Sequence, residues 1–216
     1  MKKAAIFDMD GLLFDTEKLF QKAWNQNANA MGITLPPSFA TTICGSSGAL
    51  QEKIITDYMP GADPKAMIKR VNESVYAWEE EEIPIMKGAF EILTGMQEHG
   101  LILSVASSSP LPMIERNLRK AGMTDFFACL VSGTQVAHGK PAPDIFLLAA
   151  EKSNVDPADA YVFEDSINGT IAGARAGCAS IMIPDIVPPN DTVRSVAAGI
   201  FPDLSAAWQA ILQGRI

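Results

Sequence analysis

The stretch AAIFDMDG, Ala4 to Gly11, ends an apolar run on two aspartates one residue apart. Burial disfavours charge, so Asp8 and Asp10 need a reason to stand there. An extended chain has a period of two, which puts both carboxylates on one side. Gly11 then lets the chain turn away. A short apolar run without polar alternation fits a strand buried on both faces. The acidic pair marks that strand's carboxyl end as a candidate site.

Four further runs read as buried strands: Leu101–Ala106, Ala128–Val131, Tyr161–Phe163 and Cys178–Ile183. Helical patterns lie between or before them, at Ala89–His99, Leu111–Ala121, Pro143–Lys152 and Ile167–Ala176. Strand–helix alternation predicts right-handed crossovers, and hence an α/β, doubly wound (Rossmann-like) parallel sheet. The alternation breaks once. Residues 16 to 82 read as helical, with Glu17–Met31, Ala49–Tyr58 and Pro64–Glu82 as separate helices and Pro64 at a favoured entry position. An α-helical cap therefore interrupts the core after strand one. The expected division is a core of residues 1–14 and 86–216 and a cap of residues 15–85. Phe14–Glu17 and Ile83–Lys87 are the expected hinges. The run Glu79 to Glu82 reads as a solvated helix end.

Composition narrows the function. The 216-residue chain is 48% hydrophobic and 19% charged, which suits a globular protein able to bury a sizeable core. Its net charge of −8 would not attract nucleic acid or an anionic membrane. No run approaches the roughly 20 apolar residues of a membrane span, and Asp8 cuts short any signal-like segment. Cys44, Cys129 and Cys178 are widely spaced and form no CxxC, as expected of reduced, mostly buried thiols in a cytoplasmic protein. His99 and His138 read as surface or loop residues. The oligomeric state is left open, a monomer being the simplest case.

Ligands of open parallel sheets bind at the carboxyl ends of strands. Those ends carry Asp8 and Asp10, then Ser107-Ser108-Ser109-Pro110, then Gly139-Lys140-Pro141 beyond the third strand, then Glu164-Asp165-Ser166. Singly, each is an ordinary turn or helix cap. Together they form one chemistry. Four carboxylates at one edge raise one another's pKa unless a cation neutralises them. The oxygen-only donor set suits Mg2+. The Ser107 hydroxyl, the Ser108 and Ser109 N–H groups at a helix start, and Lys140 make a phosphate cradle. An Asp beside Mg2+ and a phosphoryl group can act as nucleophile, and a second Asp can move the proton.

With these residues the sequence resembles the haloacid dehalogenase-like hydrolase superfamily. The motifs are DMDGLLFDTE (Asp8–Glu17), VASSS (Val105–Ser109), GKPAPDIF (Gly139–Phe146) and EDSINGT (Glu164–Thr170). The likeness spans the chain and is strongest to the branch holding β-phosphoglucomutase and small sugar-phosphate phosphatases. It implies Asp8 as nucleophile, Asp10 as general acid/base, and Ser107 and Lys140 on the transferring phosphoryl group. It implies Mg2+ on the Asp8 side chain, the Asp10 carbonyl and Asp165, with Glu164 assisting. Members that lack an acid/base Asp remove halide without Mg2+; Asp10 argues against that reaction here. Mutases of the family typically carry a cap His, which would fall near Phe20, and a cap Arg, which would fall near Gly48. Neither is present, so the expected reaction is hydrolysis of a small phosphorylated metabolite, a sugar or polyol phosphate, with the sugar-phosphate mutase as the alternative. Phe20, Trp24 and the Gly45–Gly48 loop are the candidate substrate contacts in the cap.

Overall fold

A computed structural model describes residues 1–44, 46 and 48–216. The chain divides into two compact units, Met1–Phe14 with Ile85–Ile216, and Asp15–Pro84. Ile85 belongs to the larger unit, where it pairs with Phe14 in an antiparallel bridge.

In the larger unit, six strands form one sheet: β1 (Ala4–Phe7), β2 (Ile102–Ser107), β3 (Cys129–Ser132), β4 (Ala160–Glu164), β5 (Ala179–Met182) and β6 (Gly199–Ile200). Their order is β3-β2-β1-β4-β5-β6, and every pairing is parallel. β1 lies near the middle and is buried along its whole length. This explains its lack of polar alternation, since helices cover both faces. Phe7 stacks on its register partner Phe163, with ring centroids 4.8 Å apart. Ala4 and Ile6 enter the cluster with Val162 and Phe146. β6 has only two residues, too short to leave a period in the sequence.

The helices of this unit are α5 (Ala89–Glu98), α6 (Leu111–Lys120), α7 (Asp144–Lys152), α8 (Ile167–Arg175), α9 (Asp191–Val196) and α10 (Leu204–Leu212). The last two, with β6, extend the alternation beyond the predicted elements. Their starts are marked by Asn190 and Asp203, whose side chains accept from Val193 N–H and Ala206 N–H.

The described residues of the second unit form four helices: α1 (Thr16–Ala30), α2 (Ser38–Ile43), α3 (Gly48–Tyr58) and α4 (Pro64–Glu81). Pro64 occupies the first turn of α4, and Asp63 caps it by accepting from the N–H groups of Lys65 and Ala66. The unit has its own core, in which Trp24 and Phe39 meet edge to face at 5.7 Å and Tyr58 packs on Phe39 at 5.3 Å. One expectation is corrected here. Glu80, Glu81 and Glu82 are exposed, but Glu79 is buried, because it shares the α4 face of Val71 and Val75.

Among the described residues, no helix is long and apolar enough to cross a membrane. Cys178 is buried, and Cys44 and Cys129 are half-buried. Burial pushes the Cys178 thiol up to about 11.

Candidate active site

The register of the sheet builds the site. Phe7 pairs with Val105 on one side and with Phe163 on the other. The next residue on each strand is Asp8, Ala106 and Glu164, which therefore stand level at the carboxyl edge. Lys140 closes over all three. Its Nζ donates to Asp8 Oδ1 at 2.5 Å, to Glu164 Oε1 at 2.5 Å and to the Ala106 carbonyl at 3.1 Å. The ammonium has three protons, and three acceptors take them. Its Nζ also lies over the Phe146 ring, 5.1 Å from the centroid.

These groups are out of water. The Lys140 and Asp8 side chains are each 9% exposed, and that of Glu164 is 1% exposed. Burial raises the Asp8 carboxyl to about 7, with Glu164 and Asp10 adding to the rise and Lys140 opposing it. Burial alone would pull the Lys140 ammonium down, but Asp8 and Glu164 outweigh it, and the group is held firmly protonated.

Glu164 is fully engaged. Its Oε2 accepts from Ser166 N–H at 3.2 Å and Ser166 Oγ–H at 2.8 Å, while Oε1 holds Lys140. Ser166 in turn caps α8 by accepting from Gly169 N–H at 3.0 Å. Gly169 is required for this fit. A Cβ there would lie 1.9 Å from the Glu164 carboxyl carbon. The glycine of EDSINGT thus makes room for the acid that begins the motif.

Asp10 lies on the other side of Asp8. Its Oδ2 accepts from Ser109 Oγ–H at 2.8 Å and, weakly, from Ser107 Oγ–H at 3.5 Å. The expected anion-binding role of the Ser109 N–H is corrected: it donates inward to Ser107 Oγ at 3.1 Å. α6 begins only at Leu111, so Ser108 and Ser109 precede its N-cap, Pro110. Ser108 is exposed and Ser109 half-buried.

The donor set for a metal is oxygen alone. Asp8, Glu164 and Asp165 are all buried, and one carboxylate oxygen from each lies within 4.8 Å of the others. With Asp10 there are four carboxyl groups beside the one ammonium of Lys140. A hard divalent cation fits this set, and the absence of His and Cys from it disfavours a softer one.

Asp8, Asp10, Ser107, Ser109, Lys140, Glu164 and Asp165 therefore come together in the larger unit. Phe20, Trp24 and Gly48 belong to the helical unit. Trp24 is buried in that unit's own core and Phe20 packs against it. Gly48 is exposed at the first position of α3, where its φ is +57°, and Gly45 lies outside the described residues. His99 and His138 are exposed; His138 pairs with Asp144 at 3.0 Å. Two supports were not predicted. One is the Gly169 clearance. The other is Ser132, which ends β3 and donates from Oγ to the Ser109 carbonyl at 2.6 Å.

The model of the haloacid dehalogenase-like hydrolases matches residues 5–183. Hexitol phosphatase B of Escherichia coli O157:H7 is 33% identical over 203 residues, covering 91% of this chain and 90% of its own. The phosphorylated carbohydrates phosphatase of Thermotoga maritima is 33% identical over 180 residues, 83% of each chain. The crystal structure of CbbY from Rhodobacter sphaeroides in complex with phosphate superposes with a TM-score of 0.76 at 26% identity, over 95% of this chain and 96% of that one.

Proposed function

The chain belongs to the haloacid dehalogenase-like hydrolase family, and from that premise we propose that it is a Mg2+-dependent phosphatase of small sugar or polyol phosphates. The helical unit is the cap domain in this reading, and Phe14–Glu17 and Ile83–Lys87 are its hinges. One observation carries the reading: Asp8 stands level with Glu164 at the sheet edge, with Lys140 bridging them and a hydroxyl-held Asp10 alongside. The relatives support the substrate class, since two of them are named as phosphatases of hexitol and carbohydrate phosphates.

In this mechanism an Asp8 carboxylate oxygen attacks phosphorus as the bond to the substrate oxygen breaks, giving an aspartyl-phosphate. Asp10 gives its proton to the departing alkoxide. It then takes a proton from water as the water oxygen bonds to phosphorus and the Asp8–phosphorus bond breaks. Ser107 and Lys140 hold the transferring phosphoryl group. Lys140 also keeps a positive charge beside the equatorial oxygens in both steps. Mg2+ would be held by Asp8, Asp165 and the Asp10 carbonyl, with Glu164 assisting through Lys140. When bound there it supplies neutralising charge and orients the phosphoryl oxygens.

The test is phosphate release from a panel of hexose, pentose and hexitol phosphates with and without Mg2+. Release that needs Mg2+ and is abolished in Asp8→Asn is expected. A full rate in Asp8→Asn would remove Asp8 as nucleophile. Interconversion of hexose phosphates in a bisphosphate-primed assay, without net phosphate release, would instead make the chain a mutase.

A further inference from the structure

Ser109, like Ser108, is a serine of VASSS that the mechanism leaves without a task. Its N–H is spent on Ser107 Oγ at 3.1 Å, so it is not offered to a phosphate. Its hydroxyl points to Asp10 Oδ2 at 2.8 Å, whereas Ser107 Oγ reaches the same oxygen only at 3.5 Å. Hydrogen-bond strength falls steeply over that interval, so Ser109 is the stronger holder of the two. The Ser109 backbone is pinned independently. Ser132, fully buried at the end of β3, donates to its carbonyl at 2.6 Å. Ser132 is itself fixed, because its N–H donates to Gln135 Oε1 at 3.0 Å. The β3 end presses directly on the serine turn, since a Cβ on Gly133 would lie 3.1 Å from Ser108 Cα. A rigid path thus runs from β3 through Ser109 to one oxygen of Asp10.

We propose that Ser109 is a positioning residue for Asp10: its hydroxyl, braced by Ser132, sets the rotation of the acid/base carboxylate. Holding Oδ2 at 2.8 Å restricts the rotation of the carboxylate and so sets the direction in which Asp10 presents its proton. An acid/base group supplies about 10²–10⁴ in rate only when it lies within hydrogen-bond reach of the proton it moves. A hydroxyl that aims it therefore acts on proton transfer and leaves phosphate binding alone. The inference rests on the phosphatase reading.

The test compares the full-length wild type with Ser109→Ala and Ser109→Thr, each loaded with Mg2+. Two substrates are used: the best sugar or polyol phosphate of the panel, and p-nitrophenyl phosphate, whose leaving group needs no proton. The ratio kcat/KM reports the first transfer step. For Ser109→Ala it should fall about tenfold on the alkyl phosphate and less than about twofold on p-nitrophenyl phosphate. The inhibition constant of inorganic phosphate should stay within about twofold of wild type, and Ser109→Thr, which keeps the hydroxyl, should recover most of the loss. Equal losses on both substrates, or weakened phosphate inhibition, would mean that Ser109 binds the phosphoryl group and would overturn the proposal. Crystal structures of the wild type and Ser109→Ala separate this from failure of the parent reading. If the wild type hydrolyses nothing, the phosphatase reading falls, and an Asp10 carboxylate unmoved in Ser109→Ala overturns the positioning as well. An Asp10 that turns away in Ser109→Ala supports it.

Discussion

Gly169→Ala opposes two effects of known size. Gly169 lies inside α8, where alanine is favoured over glycine by about 1 kcal/mol, so helix propensity predicts a more stable protein. The site predicts the reverse. The new Cβ would lie 1.9 Å from the Glu164 carboxyl carbon and Oε1, and 2.1 Å from Oε2. Acceptable contact begins near 3.0 Å, so the carboxylate must move by about 1.1 Å. That exceeds the whole useful range of a hydrogen bond, roughly 2.5–3.2 Å. Glu164 is 1% exposed and tied to Lys140 and Ser166, so it cannot swing into solvent. Losing one hydrogen bond to a charged group costs about 1.5–3 kcal/mol, and overpacking about 1–3 kcal/mol more. The net expectation is a loss of about 1.5–5 kcal/mol in urea unfolding, together with a large fall in phosphatase kcat. Adding Glu164→Asp, which withdraws the carboxylate by one methylene, should make the pair less damaging than the sum of the single changes. A Gly169→Ala protein as stable and as active as wild type would refute the argument that this glycine exists to seat Glu164.

Two other substitutions probe buried polarity. Lys140→Met removes the one ammonium among Asp8 and Glu164, and breaking a buried pair this way costs about 3–5 kcal/mol. Activity should vanish, and thermal unfolding should show the Tm lowered without Mg2+ and partly restored by it; a Tm indifferent to Mg2+ would argue against a cation at the acidic cluster. Ser104 Oγ is buried in β2 with no hydrogen-bond partner. Ser104→Ala should therefore stabilise the protein by about 1 kcal/mol in urea unfolding and leave phosphate release unchanged.

Much of the site was legible because strand ends are legible. Apolar runs ending in Asp8, Ser107 and Glu164 identify their own carboxyl edges, and the parallel-sheet rule then gathers them. The serine turn was harder. Spacing suggested N–H groups open to an anion, but Ser109 N–H closes on Ser107 and its hydroxyl turns to Asp10, and the helix starts two residues later. Glu79 shows the same limit: a run of four glutamates reads as solvated, yet helical phase turns one of them inward.

Local residue order was enough to determine the alternation of strands and helices, the helical segment after strand one, and the acidic and hydroxyl residues at the strand ends. These are short-range matters of apolar run length and helical period. The level alignment of Asp8, Ala106 and Glu164 under one lysine, the clearance at Gly169, and the brace from Ser132 through Ser109 to Asp10 were decided only by the tertiary structure. The first and the last act through the register of strands 25 to 156 residues apart, which no local pattern encodes, and the Gly169 clearance depends on how the start of α8 packs back on the end of β4.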